Sequence, residues 1–420
     1  MSATELKGSR RNLLRSLGQT AAVALAMPAS FAKAAQTETV NDQSANGLRD
    51  AETYFGPHQP GIVTEQQAFG IVMACDCLAD NRAGLERLFK ILTERSTALM
   101  KGGPAPEVDG RFPQPDSGIM GQTIHPDRLT ITISVGSSLF DERYGLGPLM
   151  PVKLKPMERF PNDALNAAMC HGDLLVQFCA NRQETVLHAM RDIIKNTPDL
   201  LTPRWKMEGF ITPKAQRAPE EATPRNLLGF KDGTWNPSAK DGSLMSQLIW
   251  TKGGESNEPS WTSGGSYQVV RLVRNFVERW DRTSLNDQER FIGRHKYSGA
   301  PLGKTHEMDE PDYANAPETT VMPKDAHIRL ANPRTPSALS TRVLRRGFNY
   351  SNGLSKSGQL DMGLLFICYQ ADLDEGFRAI QKRLDGEPLE EYIKPFGGGY
   401  FFALPGVKDE AGYLGQDLLA

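Results

Sequence analysis

Ala68-Phe69-Gly70-Ile71-Val72-Met73-Ala74 is a short apolar run that reads as a strand, and Arg82 to Met100, soon after it, sets Leu85, Leu88, Phe89 and Leu92 on one helical face. The pattern repeats outward from this strand and helix. Arg128-Leu129-Thr130-Ile131-Thr132-Ile133-Ser134-Val135 alternates as a half-buried strand, and a helix is expected near Ala164 to Met169. Asp173-Leu174-Leu175-Val176-Gln177-Phe178-Cys179 gives a further strand and Arg182 to Lys195 a further helix. Crossings this short favour helices packed on one face of an antiparallel sheet over a doubly wound parallel sheet.

The second half repeats the theme. Tyr267 to Arg274 reads as a strand, Leu285 to Arg294 as a helix, Gly363 to Tyr369 as a strand, Glu375 to Leu384 as a helix, and Gly399 to Leu404 as a last extended run. Two related α+β halves are therefore expected, and 420 residues suffice for two packed cores. Between the halves, Pro213 to Pro224 reads as a surface crossing, and Tyr297 to Pro323, with four prolines and many acidic residues, as a solvated loop. The formal charge of −2, from 48 basic and 50 acidic residues, leaves no electrostatic footprint for nucleic acid.

The amino terminus carries Ser9-Arg10-Arg11-Asn12-Leu13-Leu14, a weakly apolar run from Leu17 to Met27, and Ala32-Lys33-Ala34 before Ala35. Those features read as a twin-arginine export signal over residues 1–35, followed by a flexible leader over 36–60. The destination would be the periplasm, and this route carries folded proteins, which suits a chain that takes up a cofactor before export. No later stretch approaches ~20 consecutive apolar residues, so no transmembrane segment is expected in the mature chain. Five cysteines, Cys75, Cys77, Cys170, Cys179 and Cys368, form an odd set that cannot complete a disulfide framework; Cys75 and Cys77 read as buried core thiols. There is no Cys-x-x-Cys-His, so any haem would be held without thioether bonds.

Three segments carry candidate chemistry. In Asn226 to Pro237, Gly229 and Gly233 bracket Asp232, which lets the backbone turn sharply while the acid projects; a tight turn with an ordinary aspartate reads the same residues equally well. His327 stands among cations in Lys324 to Arg334, where a neutral imidazole could bind iron or serve as a structural histidine. No His-Glu-x-x-His pair supports zinc hydrolysis. In Arg342 to Tyr350, strand alternation keeps Arg345 and Arg346 from entering the same pocket, so one should point in; a solvated pair at a strand end is the plain alternative.

Taken in order, these segments resemble the dye-decolourising peroxidases. Gly229-Phe230-Lys231-Asp232-Gly233 is similar to their Gly-x-x-Asp-Gly signature, His327-Ile328-Arg329 with Asn332-Pro333-Arg334 to their proximal histidine setting, and Leu344-Arg345-Arg346-Gly347 to their distal arginine. Gly293-Arg294-His295-Lys296 and Gly397 to Phe402 match as well. The resemblance covers essentially the whole mature chain and implies two ferredoxin-like halves, over 61–213 and 214–420, with haem in the C-terminal one. It implies a non-covalent haem b, one per chain, with His327 as the iron ligand and Asp232 and Arg345 as the catalytic pair. Gly233, Thr234, Trp235, Arg294, Asn332, Pro333 and Arg334, together with Arg345, become cofactor-binding candidates.

The activity implied is reduction of hydrogen peroxide with oxidation of phenolic or dye-like donors. With the export signal, the resemblance runs to a periplasmic branch linked to bacterial ferrous-iron uptake. That implies possible partner proteins of such a system, and as alternatives release of iron from haem with the porphyrin intact, or haem carriage without turnover. A homodimer is expected.

Overall fold

Asn81 opens the first long helix by accepting a hydrogen bond from the Gly84 amide at 3.0 Å. That helix, α1 (Arg82–Lys101), buries Leu85, Leu88, Phe89 and Leu92, the face its spacing predicts. In the computed structural model, which describes residues 49–212, 214–218, 221, 223–313 and 322–420, these side chains share a core with Ile71 and Met73 of β1 (Phe69–Cys77). The export signal expected over 1–35, and the leader as far as residue 48, lie outside the described residues. The described end of that leader is not loose. Tyr54 and Gln59 are buried, and Gln59 Nε2 donates to the Ile133 and Leu404 carbonyls at 2.7 Å, so the fold begins before Pro60.

After α1 the first half continues through β2 (Thr130–Gly136), β3 (Leu174–Ala180), α2 (Gln183–Asn196) and β4 (Leu201–Phe210). Its strands lie in the order β2-β3-β1-β4. The second half comprises β5 (Ser266–Asn275), β6 (Phe348–Leu354), β7 (Leu360–Gln370) and β8 (Ile393–Ala403), and in space they run β6-β7-β5-β8. Numbered within each half, both orders are 2-3-1-4 and every strand pairing is antiparallel, the ferredoxin-like arrangement expected. The halves join edge to edge, with Phe401, Phe402 and Ala403 of β8 opposite Gly136, Val135 and Ser134 of β2, and Phe210 of β4 opposite Asn349 of β6. Eight strands thus close on themselves and leave no free main edge.

Helices α3 (Gly242–Leu248), α4 (Leu285–Ile292), α5 (His327–Ala331) and α6 (Ala379–Leu384) belong to the second half. Two expected helices shrink. Ala164 to Met169 supplies only one tight turn, Ala167–Met169, because the chain there spends its bonding on β8: Ala164 and Asn166 amides donate to the Pro395 and Phe396 carbonyls. The helix expected from Glu375 is interrupted at Gly376, whose φ −80 and ψ −109 are not helical, and becomes regular only at Ala379. All five cysteines are buried and unpaired. Among the described residues, no helix is long and apolar enough to cross a membrane.

One ion pair ties the first half to the second half's sheet. Arg271 of β5 and Asp163 are 2% and 1% exposed and bond to each other, with the Phe160 ring 5.4 Å from the guanidinium. Asp163 also accepts from the Phe160 amide at 3.0 Å. Removing one partner of a dry pair strands the other charge. Asp163→Asn is therefore expected to cost about 3–5 kcal/mol in a denaturant titration; an unchanged midpoint would show that Arg271 does not depend on this carboxylate.

Candidate active site

Asn226 organises the turn that carries Asp232. Its Oδ1 accepts from the Leu228 and Phe230 amides at 3.1 and 3.2 Å, and its Nδ2 donates to Asp232 Oδ2 at 3.4 Å. Gly229 has φ +86, a conformation that favours glycine at this turn, and Lys296 Cε packs where a Cβ would stand. Gly233, at φ +133, reverses the chain immediately after Asp232, and Trp235 follows at φ +63, a conformation non-glycine residues seldom adopt.

The short strand Leu344–Arg345 pairs with β7 and is fastened to this turn by Asn236, whose side-chain amide bonds the Arg345 carbonyl at 2.7 Å and the Arg345 amide at 3.0 Å. The Arg345 guanidinium then reaches Asp232 Oδ1 at 3.3 Å and the Thr234 carbonyl at 2.8 Å. Arg346 turns the other way, 4% exposed, and bonds the Thr64 carbonyl and Gln67 Oε1. Strand alternation thus separates the two arginines as expected, and Arg345 takes the cavity.

His327 begins α5. Its Nδ1 lies 2.8 and 3.0 Å from the two Glu387 oxygens. A carboxylate only accepts, so Nδ1 carries the proton and Nε2 is the nitrogen left to act as a ligand. Burial pushes the imidazole down, but the charge and hydrogen bond of Glu387 outweigh it and hold His327 above the ordinary histidine value; Arg345 and Asp232 are close enough to add smaller opposing effects. Arg383 steadies the far end of α5, donating to the Leu330 and Ala331 carbonyls at 3.0 Å.

Asp232, Gly233, Thr234, Trp235, Arg294, His327, Asn332, Arg334 and Arg345 all line one cavity of about 300 Å³. Pro333 is the exception: it is not among the lining residues, although Asn332 and Arg334 on either side of it are. The lining comes from residues 226–395, with Asn162 the one contribution of the first half. Its walls are apolar through Ile328, Leu364, Phe366, Phe377 and Leu389, but Arg294, Arg334, Arg342 and Arg345 surround it with positive charge. Burial pushes Arg294 down to about 10, and among the described residues it forms no ion pair. Arg334 lies 4.1 Å over the Trp235 ring, and Arg334 Nε and Trp235 Nε1 are buried without a partner among the described residues. A flat, largely apolar ligand with acidic edges fits this lining.

Among the described residues, no group of three or more His, Cys, Asp or Glu could hold a metal ion. The His327 Nε2 position suits a metal whose other ligands arrive with it, as in a macrocycle. The sequence reading missed Glu387, which stands 60 positions beyond His327, and also Asn236, Arg342 and Arg383. Asn236 and Arg342 had a local signal, as they lie inside segments already singled out. The loop read as solvated also turns side chains inward: Tyr313 lines the cavity, Met322 is buried, and the Glu307 carboxylate, 11% exposed, meets Lys231 Nζ at 2.7 Å.

The model of the Dyp-type peroxidase N-terminal domain matches residues 59–211, and that of the Dyp-type peroxidase C-terminal domain matches residues 223–408. The chain is 56% identical over 413 residues to the deferrochelatase of Escherichia coli strain K12, covering 98% of this chain and 97% of that protein. The deferrochelatase of Shigella flexneri serotype 5b is 56% identical over 412 residues, with the same coverage. Among solved structures, the DyP-type peroxidase of Cellulomonas bogoriensis superposes with a TM-score of 0.79 at 33% identity, over 89% of this chain and 99% of that one. An oxyferrous complex of DtpA from Streptomyces lividans gives 0.79 at 34% identity, over 88% and 98%.

Because Glu387 raises the His327 pKa, their pairing stabilises the folded chain fully below the ordinary histidine value of about 6.5 and is lost as pH rises through the raised one. Glu387→Gln is therefore expected to destabilise the ligand-free protein more in mild acid than in alkali. A loss that does not vary with pH, measured by denaturation across that range, would contradict the pairing.

Proposed function

The chain belongs to the Dyp-type peroxidase family, and from that membership we propose a periplasmic haem peroxidase that reduces hydrogen peroxide and oxidises phenolic or dye-like donors. It would hold one non-covalent haem b per chain. The observation that carries the reading is the meeting, in one cavity, of a carboxylate-held histidine with a bonded aspartate–arginine pair. The orphaned Trp235 Nε1 and Arg334 Nε, the apolar walls and the ring of arginines fit a porphyrin with its propionates.

His327 would hold the iron through Nε2, with Arg294, Arg334 and Arg342 toward the propionates and Gly233 to Trp235 along the ring edge. Bound there, haem would supply the redox chemistry for peroxide reduction and for one-electron oxidation of a donor. Asp232 accepts a proton on its carboxylate from the inner peroxide oxygen and gives it to the outer one, so that water can leave. Arg345 is permanently cationic and stabilises charge on the departing oxygen. Its bonds to Asp232 and to the Thr234 carbonyl set the two groups in one fixed relation.

A second reading, release of iron from haem with the porphyrin intact, is favoured by the 56% identity to deferrochelatases over nearly the full length. Partner proteins of a ferrous-iron uptake system, export through Arg10-Arg11 by the twin-arginine route, and a homodimer belong to the same proposal. Metal-free porphyrin appearing with released iron in a peroxide-free incubation would favour the second reading.

The test is the absorption spectrum of the haem-loaded protein before and after one equivalent of peroxide. The parent band is expected to shift promptly, His327→Ala to lose or alter the haem band, and Asp232→Asn to respond at least ~10²-fold more slowly. Equal haem binding without His327 would overturn the ligand assignment. A parent spectrum indifferent to peroxide would overturn the peroxidase reading and leave haem carriage.

A further inference from the structure

Glu307 belongs to the acidic loop after Tyr297, yet its carboxylate leaves solvent to bind the segment that carries Asp232. Oε2 meets Lys231 Nζ at 2.7 Å, while Oε1 accepts from Thr234 Oγ1 at 2.8 Å and Thr223 Oγ1 at 2.5 Å. Lys231 precedes Asp232, and Thr234 follows it by two residues, so one carboxylate grips both sides of the acid. The side chains of Lys231 and Glu307 are 5% and 11% exposed, too dry for an incidental surface contact. Burial would push Glu307 up, but Lys231 and the two threonine hydroxyls outweigh it and hold the carboxyl below the usual range.

The loop is built to deliver this group. Asp309 accepts from the Thr305 and His306 amides at 3.1 and 2.8 Å, closing the turn that presents Glu307. Arg294 Nη1 holds the same turn from the cavity side, donating to the Glu307 carbonyl at 2.9 Å and the Gly299 carbonyl at 2.6 Å. At Gly299, φ +75, a Cβ would lie 2.7 Å from Lys231 Cδ, so the Lys231 side chain packs directly on the loop. The Asp232 amide donates to the Pro224 carbonyl at 2.8 Å, and among the described residues its carboxylate meets Asn226 at 3.4 Å and Arg345 at 3.3 Å; Arg345 itself leans on the Thr234 carbonyl that Glu307 steadies.

We propose that Glu307 is a positioning residue for the peroxide step: it fixes Lys231 to Thr234 so that Asp232 and Arg345 face peroxide in one geometry. This rests on the peroxidase reading. Glu307 touches neither haem nor peroxide in this account and acts only through Asp232 and Arg345.

The experiment is a double-mutant cycle on the haem-loaded protein, reading the second-order rate of the peroxide reaction together with cyanide affinity and haem retention. Glu307→Gln is expected to slow the reaction about tenfold or more, since small misplacements of a reacting group cost that much. Cyanide affinity should shift with it, while haem retention, set by His327, should stay. In an Asp232→Asn background the same change should add less than about twofold, because residues acting as one unit are not additive. Should Glu307→Gln alone fail to fold, the neutral pair Lys231→Met with Glu307→Gln replaces it, with the same loss expected.

A Glu307→Gln rate within about twofold of the parent overturns the proposal, as does a loss that multiplies in full onto Asp232→Asn. An Asp232→Asn variant as fast as the parent overturns the peroxidase reading itself. A slow Asp232→Asn beside a fast Glu307→Gln overturns only the role of Glu307.

Discussion

The bond from His327 Nδ1 to Glu387 settles which imidazole nitrogen is free, and much of the second half is arranged around that choice. An imidazole buried without a partner would lose its proton and could present either nitrogen. With a carboxylate fixed at Nδ1, the ring is oriented and its basicity raised, the usual support for a metal-binding histidine. Helix α6 and the residues just after it hold α5 at both ends, Arg383 on its last carbonyls and Glu387 on its first residue. A five-residue helix has little stability of its own, so these contacts, rather than helix propensity, keep His327 in place.

A matching economy holds on the side of Asp232. The turn from Asn226 to Pro237 contains three residues at positive φ, Gly229, Gly233 and Trp235, and such backbone persists only where its surroundings over-determine it. Asn226 fixes the turn from within, Asn236 fastens it to Leu344–Arg345, and Glu307 grips it from the acidic loop. Arg345 is then the junction, bonded to the acid it serves and to the backbone beyond it. Of the four arginines around the apolar cavity, Arg334 and Arg345 meet Glu310 and Asp232 at 3.0 and 3.3 Å, which leaves Arg294 and Arg342 without a carboxylate partner among the described residues. Their cost is offset when an acidic ligand enters, and the same residues that bind such a ligand favour its correct orientation.

Sequence reading reached the parts of this molecule where side-chain periodicity and turn chemistry act locally. Helix α1 announced itself by Leu85, Leu88, Phe89 and Leu92, and the turn at Asp232 by its two glycines. Strand β4 escaped notice because its outward residues, Thr202, Pro203, Arg204 and Lys206, mask an alternation carried by Leu201, Trp205 and Met207. The closure of the two halves could not be read either, since pairing Phe210 with Asn349 depends on contacts between residues far apart in the chain. Glu387 and Glu307 share that difficulty. Each sits among other acidic residues in the sequence, and only the fold shows which carboxylate meets Lys231 or His327.

The most direct measurement of the central claim is a crystal structure of the haem-loaded protein. The expected result is iron on His327 Nε2, propionates among Arg294, Arg334 and Arg342, and Asp232 with Arg345 on the opposite face of the ring. Iron held by any other side chain, or Asp232 on the same face as His327, would contradict it.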